Sequence, residues 1–199
     1  MASLQTRVTN ILKTPATEWP VIAGESTDVG RLYQDYIVPL SLVPLVASFI
    51  GTSVVGVTIP FSGGVYRIGF MRGLSHMAVQ WVLGLAGLYL CAVVIEWLAP
   101  KFKSSGSRLD ALKLVAYSAT AVWVIGILNV IPILGILGLI GGLYSLYLLY
   151  LGLPHMMKTP ADQVVIYMIV AVVVLIIISV LFGAIATALT LGSRLPALT

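Results

Sequence analysis

Apolar residues recur along this chain in five long runs, each separated from the next by a short cluster of polar, glycine or proline positions. The runs cover residues 36–58, 75–98, 111–131, 133–151 and 164–191. A helix of about 20 residues crosses a hydrocarbon core of about 30 Å, so the pattern predicts five membrane spans. The last run, rising about 1.5 Å per residue, reaches roughly 42 Å and must tilt or project. Pro39 and Pro44 fall in the first half of the first run, and Pro44 predicts a bend or a break there. Pro60, Gly63 and Gly64 mark the following turn. Arg67 and Arg72 come next; they are costly in hydrocarbon, so the second span is expected to start after them. A polar connection over 101–110 and a tight turn at Asn129–Pro132 separate the remaining runs.

Ahead of the first span, Leu4, Val8, Ile11 and Leu12 have helical spacing, with Arg7 and Lys13 beside them. Thr14 before Pro15 stops that helix, and Trp19 follows next to Pro20. Two readings stay open: an amphipathic segment that lies on the membrane or docks a partner, and a half-ordered terminus. Thr27 or Asp28 can cap the next helix start. The expected organisation is a cytoplasmic segment over 1–35, a five-helix bundle over 36–192 and an outer tail over 193–199.

Composition agrees with the pattern. Hydrophobic residues make up 59% of the chain and charged residues 9%, against about 25% charged in soluble domains. Too few charges remain to cover a water-facing surface, so the solvent of this all-α bundle is lipid. Residues 1–30 show no cleavable leader pattern, and an uncleaved multi-pass protein is expected. A single cysteine, Cys91, excludes an intrachain disulfide. The net charge of +4 is spread over the segment ends, without the basic run that binds nucleic acid. Alternating the spans places Arg7, Lys13, Arg31, Lys101, Lys103, Arg108, Lys113 and Lys158 on one side and Arg67, Arg72 and Arg194 on the other. Lys and Arg concentrate on the cytoplasmic face, so the N-terminus is expected inside and the C-terminus outside.

Candidate chemistry is sparse. His76 and His155 belong to opposite membrane faces, and no nucleophile has a sequence-local base, so neither an enzyme nor a metal or cofactor site is expected. Glu96 lies at the inner end of the second span, where an ionisable group is either functional or paired with Lys101 or Lys113. Asn129 is expected to satisfy backbone groups freed by Pro132. Tyr144, Tyr147 and Tyr150 form a drifting stripe on the fourth helix, and the depth of Tyr144 requires a protein partner for its hydroxyl. Gly138 and Gly142 have the spacing that lets another helix approach closely, extended by Gly135, Gly141 and Ser145. On that ground the fourth helix is expected to be the packing centre of the fold.

The stretch 110–160 resembles the Yip domain family, multispanning proteins named for interaction with Ypt/Rab GTPases. Gly141, Gly142, Tyr144, Tyr147, Tyr150, Gly152, Pro154 and Pro160 match the end of the fourth helix in its bacterial branch. Leu114, Tyr117 and Thr120 are similar to that branch's third-helix motif, which continues with proline where this chain has Ala121. Asp35, Pro39 and Leu40 partly match a eukaryotic element, with Val38 in place of its glycine. The resemblance implies a five-span fold and, with only residues 1–35 ahead of the first span, a bacterial inner-membrane protein. Eukaryotic members are trafficking adaptors with long cytoplasmic regions; bacteria lack that vesicle system. The expected function is therefore a non-enzymatic membrane scaffold or adaptor in the lipid bilayer, binding other membrane proteins or itself as a homo-oligomer. The alternative is a small transporter or channel using Glu96, the tyrosines and broken helices around Pro44 and Pro132.

Overall fold

The computed structural model describes residues 3–58 and 64–190. Pro60, Gly63, Arg194 and the tail 193–199 lie outside the described residues. Among the described residues five helices are long and apolar enough to span a membrane: α3 (Val29–Val55), α4 (Phe70–Phe102), α5 (Arg108–Val130), α6 (Pro132–Met156) and α7 (Val164–Thr190). Two shorter helices precede them, α1 (Leu4–Lys13) and α2 (Pro15–Gly24). A two-residue antiparallel ladder, β1 (Val57–Thr58) with β2 (Val65–Tyr66), pairs Val57 with Tyr66 in the loop before α4.

Local chemistry sets most of the boundaries. The Ser3 hydroxyl accepts from the Thr6 amide to cap α1, and Pro15 takes the first position of α2, where its missing N–H costs nothing. Asp28, not Thr27, caps α3 by accepting from the Arg31 amide at 3.0 Å. Ser107 and Asp110 close a reciprocal capping box on α5. The first span runs through Pro44 as continuous helix rather than breaking there. A wide π-helical turn over Tyr33–Ile37 stands just ahead of Pro39 and moves away the carbonyl its ring would otherwise meet. The second span begins at Phe70, ahead of Arg72 and earlier than expected. Arg72 is exposed in that first turn, where a long side chain can reach the headgroups.

The packing centre is the third span, not the fourth. Buried residues fill 61% of the most apolar window of α5, against 17% for α6, the lowest of the five. Residues Ala111 to Ser118 of α5 are buried without interruption, the mark of a helix covered on every side. It packs against α3, α4 and α6. The glycine that brings α6 close to it is Gly141: a Cβ there would stand 2.5 Å from Ile125 Cγ2 and 3.2 Å from the Ala121 carbonyl oxygen. A Cβ at Gly138 or Gly142 would meet nothing within 4 Å. Those two glycines floor an open apolar groove between α6 and α7, beside Leu139, Leu143, Val172 and Ile176.

The N-terminal segment is neither a separate layer nor a loose end. Ile11, Trp19 and Ile22 are within 1% of full burial and join Leu114, Tyr117 and Leu153 in the main core. The bundle therefore starts at α1 rather than at residue 36. At the other end of the molecule Gly51 lies directly against the Asn129 carbonyl, leaving no room for a side chain between α3 and α5.

Candidate functional site

The densest polar arrangement lies where the α1–α2 hairpin enters the bundle. Arg7 is 3% exposed, and its guanidinium forms ion pairs with Glu18 of α2 and Glu25 just beyond it. The Asn10 amide donates to the second Glu18 oxygen at 3.1 Å. From the bundle side, the buried Lys113 ammonium donates to the carbonyls of Glu25 at 2.6 Å and Ile22 at 3.2 Å. Those carbonyls lie at the C-terminal end of α2, where backbone acceptors lack helical partners and favour a cation. Two cations thus face two carboxylates, so the cluster is neutral. Buried charges are tolerable only when paired and hydrogen-bonded in this way.

Three residues of the family-like motifs form the seat for the hairpin. Tyr117 meets Trp19 edge-on with ring centroids 6.4 Å apart and lies 4.4 Å from the Tyr36 ring. Arg7 sits over the Tyr117 ring at 5.8 Å. Gly152 lets Trp19 lie against α6: a Cβ would come within 2.7 Å of the indole and 2.6 Å of Leu114. The Tyr144 hydroxyl donates to the Leu12 carbonyl at 2.6 Å, supplying the partner its depth requires. Tyr36 and Thr120 share a 2.6 Å hydroxyl bond, while Thr120 also donates to the Tyr117 carbonyl. These groups hold architecture together; they leave no nucleophile beside a base.

Other motif positions stand elsewhere. Tyr147 is half exposed beside Tyr144, with centroids 5.6 Å apart. Asp35 is exposed, and Pro39 lines a shallow lipid-facing groove of the first span. Pro154 lies inside the last turn of α6, which continues to Met156. The Pro160 carbonyl accepts from the Gln163 amide ahead of α7. Ser145 is part-buried, and its hydroxyl has no partner among the described residues. In the 157–163 loop, the Gln163 amide and Lys103, 3.6 Å away, hold the Asp162 carboxyl below the usual carboxylate range.

Two expected pairings change partners. Glu96 binds Arg108 at 2.7 Å, not Lys101 or Lys113. Lys101 instead stands over the exposed Trp97 ring at 4.5 Å, and Lys113 is taken by the hairpin. Asn129 does not serve its own turn: its amide donates to Ser48 of α3 at 3.1 Å, tying the first span to the third. Sequence reasoning missed Glu18, Glu25 and the buried role of Arg7. The available signal was Lys113, a lone ammonium inside an apolar run, which demands acceptors from somewhere in the chain.

A family model described as "Yip1 domain" matches residues 9–183. Among curated proteins, the inner membrane protein YohC of Escherichia coli K12 is 24% identical over 112 residues, covering 56% of this chain and 57% of that protein. The protein of the same name from Escherichia coli O6:H1 matches to the same extent. The chain thus spans a little over half the length of the curated relatives it matches. No solved structure matches.

Proposed function

Because the chain belongs to the Yip1 domain family, we propose that it works as a non-enzymatic scaffold or adaptor, binding other membrane proteins or a second copy of itself. It is a multi-pass membrane protein, placed in the inner membrane as its bacterial relative is. The observation that carries the scaffold reading is the groove floored by Gly138 and Gly142. It is apolar, lies on the least covered span, and carries two glycines whose faces are open to a helix from another molecule. Association in lipid depends on close backbone approach, because lipid tails are as apolar as the helices they cover. The charged groups at the hairpin end are paired with one another or with backbone carbonyls and serve as fastenings rather than as a transport path.

The hairpin end is the cytoplasmic one in this reading, because eight of the eleven Lys and Arg residues map to it. With Cys91 replaced by alanine, a cysteine at Gly64 reacts with an impermeant thiol reagent on intact cells and a cysteine at the exposed Ser105 does not. The reverse pattern inverts the orientation.

The function is tested by crosslinking in native membranes, with single cysteines along the groove at Leu139 and Leu143. A discrete adduct, to one defined partner or to a second copy, that disappears in Gly138→Leu plus Gly142→Leu supports the scaffold. Crosslinks to lipid alone, together with an ion flux in liposomes that vanishes in Glu96→Gln, replace it with the transporter.

A further inference from the structure

A second hollow, partly open, lies between α4, α5 and α7. Its volume is about 250 Å³, and its wall is largely apolar, built from leucine, isoleucine, valine and phenylalanine side chains together with glycine and alanine. Three polar side chains line it: Gln80 of α4, Trp123 of α5 and Ser179 of α7. None of the three forms a side-chain hydrogen bond with another described residue. By helical rise they lie about 10–16 Å below the helix ends at Val130 and Thr190 and the start at Phe70, which is mid-depth in a core of about 30 Å. At that depth there is no bulk water to satisfy an amide, and an unpaired one is costly. Nearby polar groups that could have served are already taken. The Trp81 indole donates to Ser41 at 3.1 Å, and His76 is paired with Thr190 at 2.8 Å.

We propose that this hollow is a binding site for a small membrane-borne amphiphile: an apolar body carrying one head that both donates and accepts hydrogen bonds, such as an alcohol or a primary amide. Gln80 offers a carbonyl and an amide N–H to such a head, and Trp123 and Ser179 offer a further N–H and a hydroxyl. The apolar wall takes the body. Its size fits this class, since an apolar protein cavity of about 150 Å³ already admits benzene. A medium-chain alcohol fills the larger hollow, whereas a strongly polar solute would leave most of the wall without a match. Gly84 and Gly183 line the hollow from α4 and α7, and a Cβ at either meets nothing within 4 Å. Larger side chains there grow into the hollow instead of into a neighbouring backbone. The site adjoins the groove assigned to protein partners, sharing Leu175 and Ser179 with it, but it rests on Gln80, Trp123, Gly84 and Gly183, which that groove lacks, and stands whether or not that assignment holds.

The test uses the full-length protein in nanodiscs of phosphatidylethanolamine and phosphatidylglycerol, with a diazirine-bearing decanol as the probe. Crosslinks are mapped by mass spectrometry in competition with 1-decanol and with decane. Labelling is expected to saturate, to fall on segments 80–91, 115–123 and 175–183, and to be displaced by 1-decanol but not by decane. Gln80→Leu, which removes the unpaired amide, should weaken labelling by about fivefold or more, the worth of one hydrogen bond. Gly84→Leu should abolish it, and Gly183→Leu repeats that arm from α7 if the first variant fails to fold. Labelling that never saturates, spreads over the lipid-facing positions of α7, or yields equally to decane overturns the proposal. Saturable labelling that survives both glycine variants overturns it too, as does an absence of saturable labelling, which leaves the hollow to water.

Discussion

The third and fourth spans have nearly the same mean hydropathy, 1.8 and 1.9, yet one is the core of the protein and the other faces lipid along most of its length. On α6, Ile133, Leu139 and Leu143 are 81%, 69% and 69% exposed within the chain, while Leu112 and Leu114 of α5 are fully buried. Hydropathy cannot separate the two helices, because a leucine gains little by leaving lipid for protein. What distinguishes α5 is polarity. Lys113, Tyr117 and Thr120 carry groups that hydrocarbon cannot satisfy, and each meets a neighbouring element: Lys113 the end of α2, Tyr117 the Trp19 ring and Thr120 the Tyr36 hydroxyl. Glycine works the other way, by permitting approach without compelling it: Gly141 and Gly152 of α6 are closely approached from within the chain, while Gly138 and Gly142 meet nothing within 4 Å.

The sharpest way to break this comparison is to remove the cover that polar groups hold over α5. Arg7→Met leaves Glu18 and Glu25 without their cation, and a broken buried pair costs about 3–5 kcal/mol. Melting in detergent should fall accordingly, and protease should gain access to the α1–α2 hairpin. An unchanged melt would mean that apolar contacts at Ile11 and Trp19 hold the hairpin without the charges.

A smaller effect separates the glycines of α6 from one another. Gly141→Leu forces a side chain into Ile125 and the α5 backbone, and overpacking of this kind costs about 1–3 kcal/mol. Gly138→Leu plus Gly142→Leu should leave the melting of the isolated chain unchanged, since both positions are open. Equal losses in the two variants would show that the groove is closed in the isolated chain.

The smallest effect is expected at the second span. Glu96→Gln removes an ion pair whose side chains are 32% and 49% exposed, and such solvated pairs contribute little. No resolvable change in melting is expected. A clear loss would place Glu96 in a tighter environment and give the second span a polar anchor like that of the third.

Five spans, their order and the family could all be read along the chain, because length and hydropathy decide membrane crossing without reference to neighbours. The family-like residues at 117 and 144–160 were legible too, but not their task of seating a hairpin that lies more than a hundred positions earlier. The partner of Glu96 depended on how α4 and α5 meet, and proximity along the chain favoured the wrong cations. Asn129 stands in a turn whose freed backbone groups are its nearest partners along the chain, yet it bonds Ser48, 81 positions away.

By itself, then, the sequence determined that this chain crosses a membrane and where each crossing begins and ends to within about two helical turns. Those are one-dimensional properties, set by apolar length and by capping residues such as Asp28 and Ser107. Which helix becomes the core, which glycine is approached and which carboxylate meets Arg7 were decided by tertiary structure alone. Lipid and protein are equally good solvents for an apolar face, so only the need of scattered polar groups for partners, met across the fold, chooses between them.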